Sequence, residues 1–362
     1  MSVSIPRWRG FNLIDLFSTS ARWKDEFPMS DGLVPEEDFA LIRELGFDFV
    51  RVPLSYLWFG KGAFGREVDQ ERLWLLDRVV EFGRQYGVHV MVGFHRAPGY
   101  CVTSSSYFDF PERGDLFRSD EDLADFVAWW RALAERYQHV PAQELSFNLL
   151  NEPIDIDDAT FDRTFLPVIE AIHKISPDRL IHVEGRFMLE DGTLDGGVRY
   201  EPPTKTVRTL PNIVSSVHMY SPLHLTHYDN PWAGSSAHLL PPQWPFTPTL
   251  RPGSTKPLVG EDTRVWDKAA LRDTVAQYLD LADSGLAVHA GEIGAYTKIS
   301  HDTFLGWLAD ALEVFAEHGI GWALWNFRGP FGVLDSRRAD VNYEQWKGHQ
   351  LDRKMLEILR AH

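Results

Sequence analysis

The chain has 362 residues, 44 % of them hydrophobic and 24 % charged, enough for one large core or two small ones. Its 52 Asp and Glu against 36 Lys and Arg leave a formal charge of -16, and no basic run or stripe appears, which argues against nucleic acid and anionic membrane surfaces as partners. A single cysteine, Cys101, excludes an intrachain disulfide and a thiolate metal cluster. With no apolar stretch of signal-peptide length near the start and no run of about 18 apolar residues, a cytoplasmic protein is expected.

In chain order, short apolar runs that read as buried strands alternate with longer stretches of helical period. A strand at 10–13 precedes a helix at 35–45 opened by Pro35, strands at 47–52 and 88–94 bracket a helix at 70–86, and a helix at 119–137 leads to a strand at 145–150. A helix at 161–175 and strands at 180–183 and 213–217 follow, with the Gly-rich, barely periodic stretch 190–200 where a helix between those two strands would lie. The chain continues through a helix at 268–283, a strand at 286–290, a helix at 303–318, a strand at 321–325 and a helix at 343–359. Eight strand candidates and seven clear helices over 1–362 predict one α/β domain, a (β/α)8 TIM barrel, in preference to a doubly wound sheet with fewer strands. Residues 221–267 break the rhythm with many prolines, His224, His227, Trp232 and Trp244, and are expected to form a long ordered loop after the sixth strand.

Barrel enzymes assemble their sites at the C-terminal ends of the strands. Those positions hold Arg51, His95, Asn151 with Glu152, Glu184, His218 with Tyr220, Glu292, and Trp325 with Asn326. The set contains two or three carboxylates among His, Arg, Tyr, Asn and Trp, and neither a phosphate-binding glycine loop nor a Gly-x-Ser-x-Gly elbow is present. Carboxylate chemistry on a neutral substrate held by aromatic rings is the natural reading. Glycoside hydrolysis needs one carboxyl group kept protonated for the leaving oxygen and a second kept ionised on the other face of the sugar. Glu152 and Glu292 end the fourth and seventh strand candidates, which face each other across a closed barrel, and are the expected pair. A retaining enzyme sets such a pair about 5 to 5.5 Å apart and an inverting one about 6.5 to 9.5 Å.

Four motifs, Leu149-Leu150-Asn151-Glu152-Pro153, His218-Met219-Tyr220, Gly291-Glu292-Ile293-Gly294 and Trp322-Ala323-Leu324-Trp325, stand in the order and on the strands that resemble the retaining (β/α)8 glycosidases of the clan containing glycoside hydrolase family 5. The likeness spans nearly the whole chain. It implies that Glu152 is the acid/base, that Asn151 bonds the sugar 2-hydroxyl, and that Glu292 is the nucleophile, held ionised by Tyr220 and Arg51. It further places His218 beside the acid/base, His95 on a sugar hydroxyl and Trp325 beneath the ring. No cofactor and no metal are implied, and the partner is an oligosaccharide or glycoside. The loops at 95–101 and after Tyr220 differ from those of open-cleft cellulases. An aromatic loop walling off one end of a cleft favours exo action, so an exo-acting β-mannosidase is the leading expectation, β-glucosides a second substrate class, and an endo-β-1,4-glucanase or β-mannanase the alternative.

Plainer readings compete at several positions. Glu184 rivals the chosen pair because its strand-end position is equivalent. His89, His182 and His289 lie within strands and read as core or barrel-interior residues. His224 and His227 fall in an irregular segment without an obvious third ligand and read as loop surface, not a metal site. Cys101 reads as packing, and Trp232 and Trp244 as loop anchors or sugar contacts. A metal-dependent barrel hydrolase would commonly carry a His-x-His pair at the end of the first strand, where none occurs. The presence of both glutamates argues against a non-catalytic carbohydrate-binding barrel.

Overall fold

A computed structural model of the chain describes residues 3–17, 32–102, 112, 114–189, 192, 197–230, 232 and 236–362. Parts of two stretches singled out above, 190–191 with 193–196 and 231 with 233–235, lie outside the described residues. Eight parallel strands close into a barrel: β1 (Arg9–Asn12), β2 (Phe49–Ser55), β3 (His89–Ala97), β4 (Leu145–Asn148), β5 (Ile181–Glu184), β6 (Ile213–Met219), β7 (Val288–Ile293) and β8 (Gly321–Leu324). Each strand pairs with its neighbours in sequence, and β8 returns to β1 with Trp322 beside Arg9, so the parallel ladder has no open edge. Helices α1 (Glu36–Glu44), α2 (Trp74–Tyr86), α3 (Asp120–Arg136), α4 (Asp158–Ile175), the single turn α5 (Lys205–Arg208), α6 (Lys268–Asp283), α7 (His301–Ala316) and α8 (Arg353–Ala361) alternate with the strands. The expected (β/α)8 barrel is the fold.

Strand alternation sorts each run into two faces. On β3, Phe94 turns outward to pack against Phe126, Trp129 and Trp130 of α3, while Met91 turns inward to join Trp8, Phe49, Leu180 and Ala323 in a cluster filling the barrel floor. His89, His182 and His289 sit in that interior layer, with His89 stacked on Trp8 at 3.7 Å and His289 4.6 Å from Phe49. Burial holds His89 and His289 down at about 3, so both are neutral, as barrel-interior residues should be.

Helix starts follow local capping chemistry. Ser119, Asp157, Asp267, Ser300 and Asp352 each accept a hydrogen bond from a backbone N–H of the following helical turn, which stabilises each end by about 1 kcal/mol.

Two elements depart from the periodicity. The expected helix at 343–359 begins instead as an antiparallel hairpin of Glu344–Trp346 and His349–Leu351, and only Arg353–Ala361 is helical. Lys347 and Gly348 both have positive φ, 50° and 87°, the two-residue turn that a hairpin's twist demands. After β5 the chain forms a second hairpin, Arg186–Leu189 with Val198–Glu201, before the single turn α5. That accounts for the weak helical signal there. The segment 221–267 holds a helical turn at Leu223–Thr226, a 3-10 turn at Gly260–Thr263, and bridges Leu239 to Leu250 and Phe246 to Trp266.

Candidate active site

The inward residues at the C-terminal mouth converge on one buried guanidinium. Arg51 Nη1 donates to Glu292 Oε1 at 2.5 Å and to Asn12 Oδ1 at 2.9 Å, and Nε donates to Asn148 Oδ1 at 3.0 Å. Its Nη2 donates to Asn151 Oδ1 at 2.8 Å and to Glu184 Oε1 at 3.0 Å, so every N–H of the fork is used. Burial by itself would lower the pKa of Arg51, but Glu292 and Glu184 outweigh it and raise it.

Glu292 reaches this position through a break in register. The pairing of β7 shifts on both sides around Gly291, from Ala290 opposite Val217 to Glu292 opposite His218, a bulge that re-aims the side chain into the mouth. A Cβ on Gly291 would lie 2.9 Å from Ser216 Oγ and 3.2 Å from His218 Nε2, so the glycine is what lets His218 come alongside. Opposite Arg51, Tyr220 donates its hydroxyl to Glu292 Oε2 at 2.7 Å. Burial pushes the Glu292 carboxyl upward against the opposing pull of His218 and Arg51.

Glu152 follows β4 with φ of 47°, a left-handed backbone that is costly for a side chain of this kind, about 1–3 kcal/mol. Two contacts hold it there. Its N–H donates to Glu184 Oε2 at 2.6 Å, and its carbonyl accepts the Tyr100 hydroxyl at 2.5 Å. Its Oε1 lies 2.7 Å from His218 Nδ1, whose Nε2 is 3.3 Å from Glu184 Oε1. Carboxylate oxygens of Glu152 and Glu292 and a ring nitrogen of His218 all lie within 4.8 Å of one another.

The charges nearly balance. Burial disfavours the charged form of His218, yet Glu184 and Glu292 outweigh it and hold it up at about 10, an imidazolium at neutral pH. Burial likewise works against ionised Glu184, but His218 and Arg51 bring it down to about 2. Three carboxylates therefore face two cations. Glu292 accepts the Arg51 and Tyr220 bonds, and both favour its ionised form against the upward push of burial.

Around the carboxylates stands an aromatic wall. Ile14, Phe17, Tyr220, Tyr296, Trp325 and Phe331 form a buried cluster against which Cys101, Leu223 and Trp232 pack. Trp325 lies nearly parallel to His95 at 5.8 Å, and Trp232 meets Tyr296 edge-on at 5.0 Å. His95 Nδ1 and Asn151 Nδ2 are buried here without a hydrogen-bond partner. Burial holds His95 well below the usual range, leaving a neutral ring.

Arg51, His95, Asn151, Glu152, His218, Tyr220, Glu292 and Trp325 are thus brought together, and Glu184 lies among them as the carboxylate that fixes Arg51 and the Glu152 backbone. Trp232 joins the wall, whereas Trp244 donates to Asp310 Oδ2 at 2.8 Å and packs on Gly306, pinning the segment to α7. Sequence reading passed over Tyr100, Asn12 and Asn148. The signal for Tyr100 was the Pro98-Gly99 dipeptide: Gly99 has φ of 76°, and the turn folds Tyr100 back beside Ala97 toward the mouth.

A closed parallel barrel with a close pair of glutamates at its C-terminal mouth and aromatic rings around them defines a barrel glycoside hydrolase. The family model described as cellulase, glycosyl hydrolase family 5, matches residues 8–329, and the chain belongs to that family. It is 25 % identical to endoglucanase C of Acetivibrio thermocellus over 328 residues, 87 % of this chain and 90 % of the relative. With cellodextrinase A of Ruminococcus flavefaciens it shares 27 % over 304 residues, 80 % of this chain and 77 % of that one. A crystal structure of a glycoside hydrolase matches with a TM-score of 0.80 at 29 % identity over 98 % of both chains. The fold also matches endoglucanase Cel5A of Thermotoga maritima, TM-score 0.68 at 20 % identity, over 97 % of this chain and 96 % of that one.

Proposed function

We propose that this glycoside hydrolase cleaves β-1,4-linked gluco-oligosaccharides or glucans with retention, by double displacement, with Glu152 as acid/base and Glu292 as nucleophile. The observation that carries the reading is that a carboxylate oxygen of Glu152 and one of Glu292 lie within 4.8 Å of each other, nearer the spacing of a retaining pair than that of an inverting one. In the first step Glu292 attacks the anomeric carbon while Glu152 gives its proton to the departing glycosidic oxygen. In the second, Glu152, now ionised, takes a proton from water, and the oxygen of that water displaces Glu292 from the anomeric carbon.

The remaining groups have roles that follow from their contacts. Arg51 and Tyr220 keep Glu292 ionised and aimed, and the imidazolium of His218 accommodates the charge that Glu152 gains. The free Asn151 Nδ2 is a donor for the 2-hydroxyl, the free His95 Nδ1 faces another sugar hydroxyl, and Trp325 is the platform under the ring. Trp232 and Tyr296 extend that wall.

The gluco preference is supported by the names of the relatives above, an endoglucanase and a cellodextrinase, neither of which is a mannosidase. The expectation of exo action on β-mannosides has no such support, and endo cleavage is the reading carried here. Incubation with aryl β-glycosides and β-1,4-linked gluco- and manno-oligosaccharides, with the released anomer followed by NMR, tests it. Internal cleavage of cello-oligosaccharides with retention is expected. Inversion would overturn the nucleophile assignment, and release of single mannose units would return the exo-mannosidase.

A further inference from the structure

The segment 221–267 carries a second cluster of ligating side chains, separate from the carboxylates of the barrel mouth. His224, from the turn after β6, His238, beside the bridge at Leu239, and Asp262, from the 3-10 turn, bring two imidazole nitrogens and a carboxylate oxygen within 4.8 Å of one another. His224 Nδ1 lies 2.7 Å from Asp262 Oδ1, and His238 Nε2 lies 3.6 Å from Asp262 Oδ2. The sequence reads His224 and His227 as loop surface, but His224 is buried, 7 % exposed, against the 3-10 turn. His227 turns the other way, its ring 4.9 Å from that of Tyr220.

We propose that His224, His238 and Asp262 form a binding site for one divalent transition metal ion of the zinc type, which clamps this segment shut.

Three observations support it. The first is the donor set: two imidazoles and a carboxylate are ligand types that suit zinc. Zinc bonds of about 2.0 to 2.2 Å in a tetrahedron put neighbouring donor atoms about 3.3 Å apart. The separations of 2.7 and 3.6 Å fall on either side of that, so small side-chain rotations suffice.

The second is an unsatisfied acceptor. Asp262 is 3 % exposed, and its Oδ2, aimed into the cluster, has no hydrogen-bond partner. A buried carboxylate oxygen left in that state is costly, and a cation between the rings would satisfy it.

The third is that the backbone already fixes the ligands in place. Glu261, the neighbour of Asp262, accepts from the Leu223 N–H at 2.8 Å and the Ser221 hydroxyl at 3.2 Å, locking the 3-10 turn to the turn that bears His224. The Leu239 to Leu250 bridge fixes the strand next to His238. A metal here would cross-link positions 38 residues apart in a stretch of little regular structure, where a clamp constrains the chain most. The Glu152, His218 and Glu292 cluster is a poorer host, because Arg51 already sits 2.5 Å from Glu292 and would repel a dication.

The test uses the full chain, stripped with a chelator and titrated with zinc chloride by calorimetry, with bound metal counted by elemental analysis and thermal midpoints recorded in parallel. One equivalent is expected to bind and to raise the midpoint; at free zinc a hundred times the dissociation constant, the folded state gains about a hundredfold over the unfolded one. The His238→Gln and Asp262→Asn variants are each expected to lose that equivalent and the zinc-dependent rise in midpoint. Absence of binding to the stripped wild-type chain would overturn the proposal, even if either variant fails to fold, and would leave the cluster as a hydrogen-bonded staple. Binding that persists in both variants, or that disappears in Glu292→Gln instead, would overturn it as well.

Discussion

Replacing Tyr220 by Phe removes one hydroxyl from the site and little else, because the ring stays packed against Trp325, Phe331 and Ile14. The lost interaction is the 2.7 Å bond to Glu292 Oε2, a hydrogen bond to a charged acceptor worth about 1.5–3 kcal/mol. That bond stabilises the ionised carboxylate, so its loss pushes the Glu292 carboxyl further up. Glu292 must be ionised to attack, so activity rises with pH through this pKa. The acidic limb of the kcat/KM profile in Tyr220→Phe is therefore expected to move up by about 1–2 pH units, with a fall of about 10–100-fold on the acid side and convergence toward wild type above it. The assay is initial rates on an aryl β-glucoside or a labelled cello-oligosaccharide across the pH range. A limb that stays in place, with rates reduced equally at all pH values, would refute the claim that Tyr220 acts by holding Glu292 ionised.

Other outcomes follow from the same geometry. Glu152→Gln removes the proton donor, and hydrolysis of substrates with poor leaving groups is expected to fall by about 10²–10⁴-fold while aryl glycosides with acidic phenols still load the enzyme, visible as a burst of phenol in stopped-flow. Stability should be greatest between pH 4.5 and 6.5: below it the contribution of Glu184, ionised down to about 2, is lost, and above it that of His218, protonated up to about 10, fades. Thermal midpoints measured from pH 2 to 10 would show a plateau with both shoulders, and a His218→Asn variant should lack the alkaline one. Gly10→Ala would place a Cβ 1.7 Å from the Phe49 carbonyl oxygen between β1 and β2, and a loss of about 3 kcal/mol or more is expected in urea unfolding.

Much of this molecule was legible along the chain because its determinants are local. Short apolar runs alternating with stretches of helical period predict βα units whatever the rest of the chain does, and a polar residue ending such a run must emerge at the barrel mouth. Arg51, Glu152, His218, Glu292 and Trp325 were found that way. The expected helix at 343–359 failed for a local reason too: Lys347 and Gly348 turn the chain with positive φ, and a lysine gives little warning of that.

What only the tertiary structure decided is which groups meet after the barrel closes. Parallel pairing of eight strands sets the stagger that brings Arg51 of β2 within reach of residues on β1, β4, β5 and β7, contacts that span up to 241 residues of sequence. Closure likewise holds Glu152 in its strained backbone between Glu184 and Tyr100, and the fold of the segment 221–267 brings His238 to Asp262. Sequence by itself determined the side-chain types and the strand ends that display them, because both follow from neighbours a few residues away. Their partners, and hence the ionisation of Glu184 and His218, depend on distances across the barrel, which no local pattern encodes.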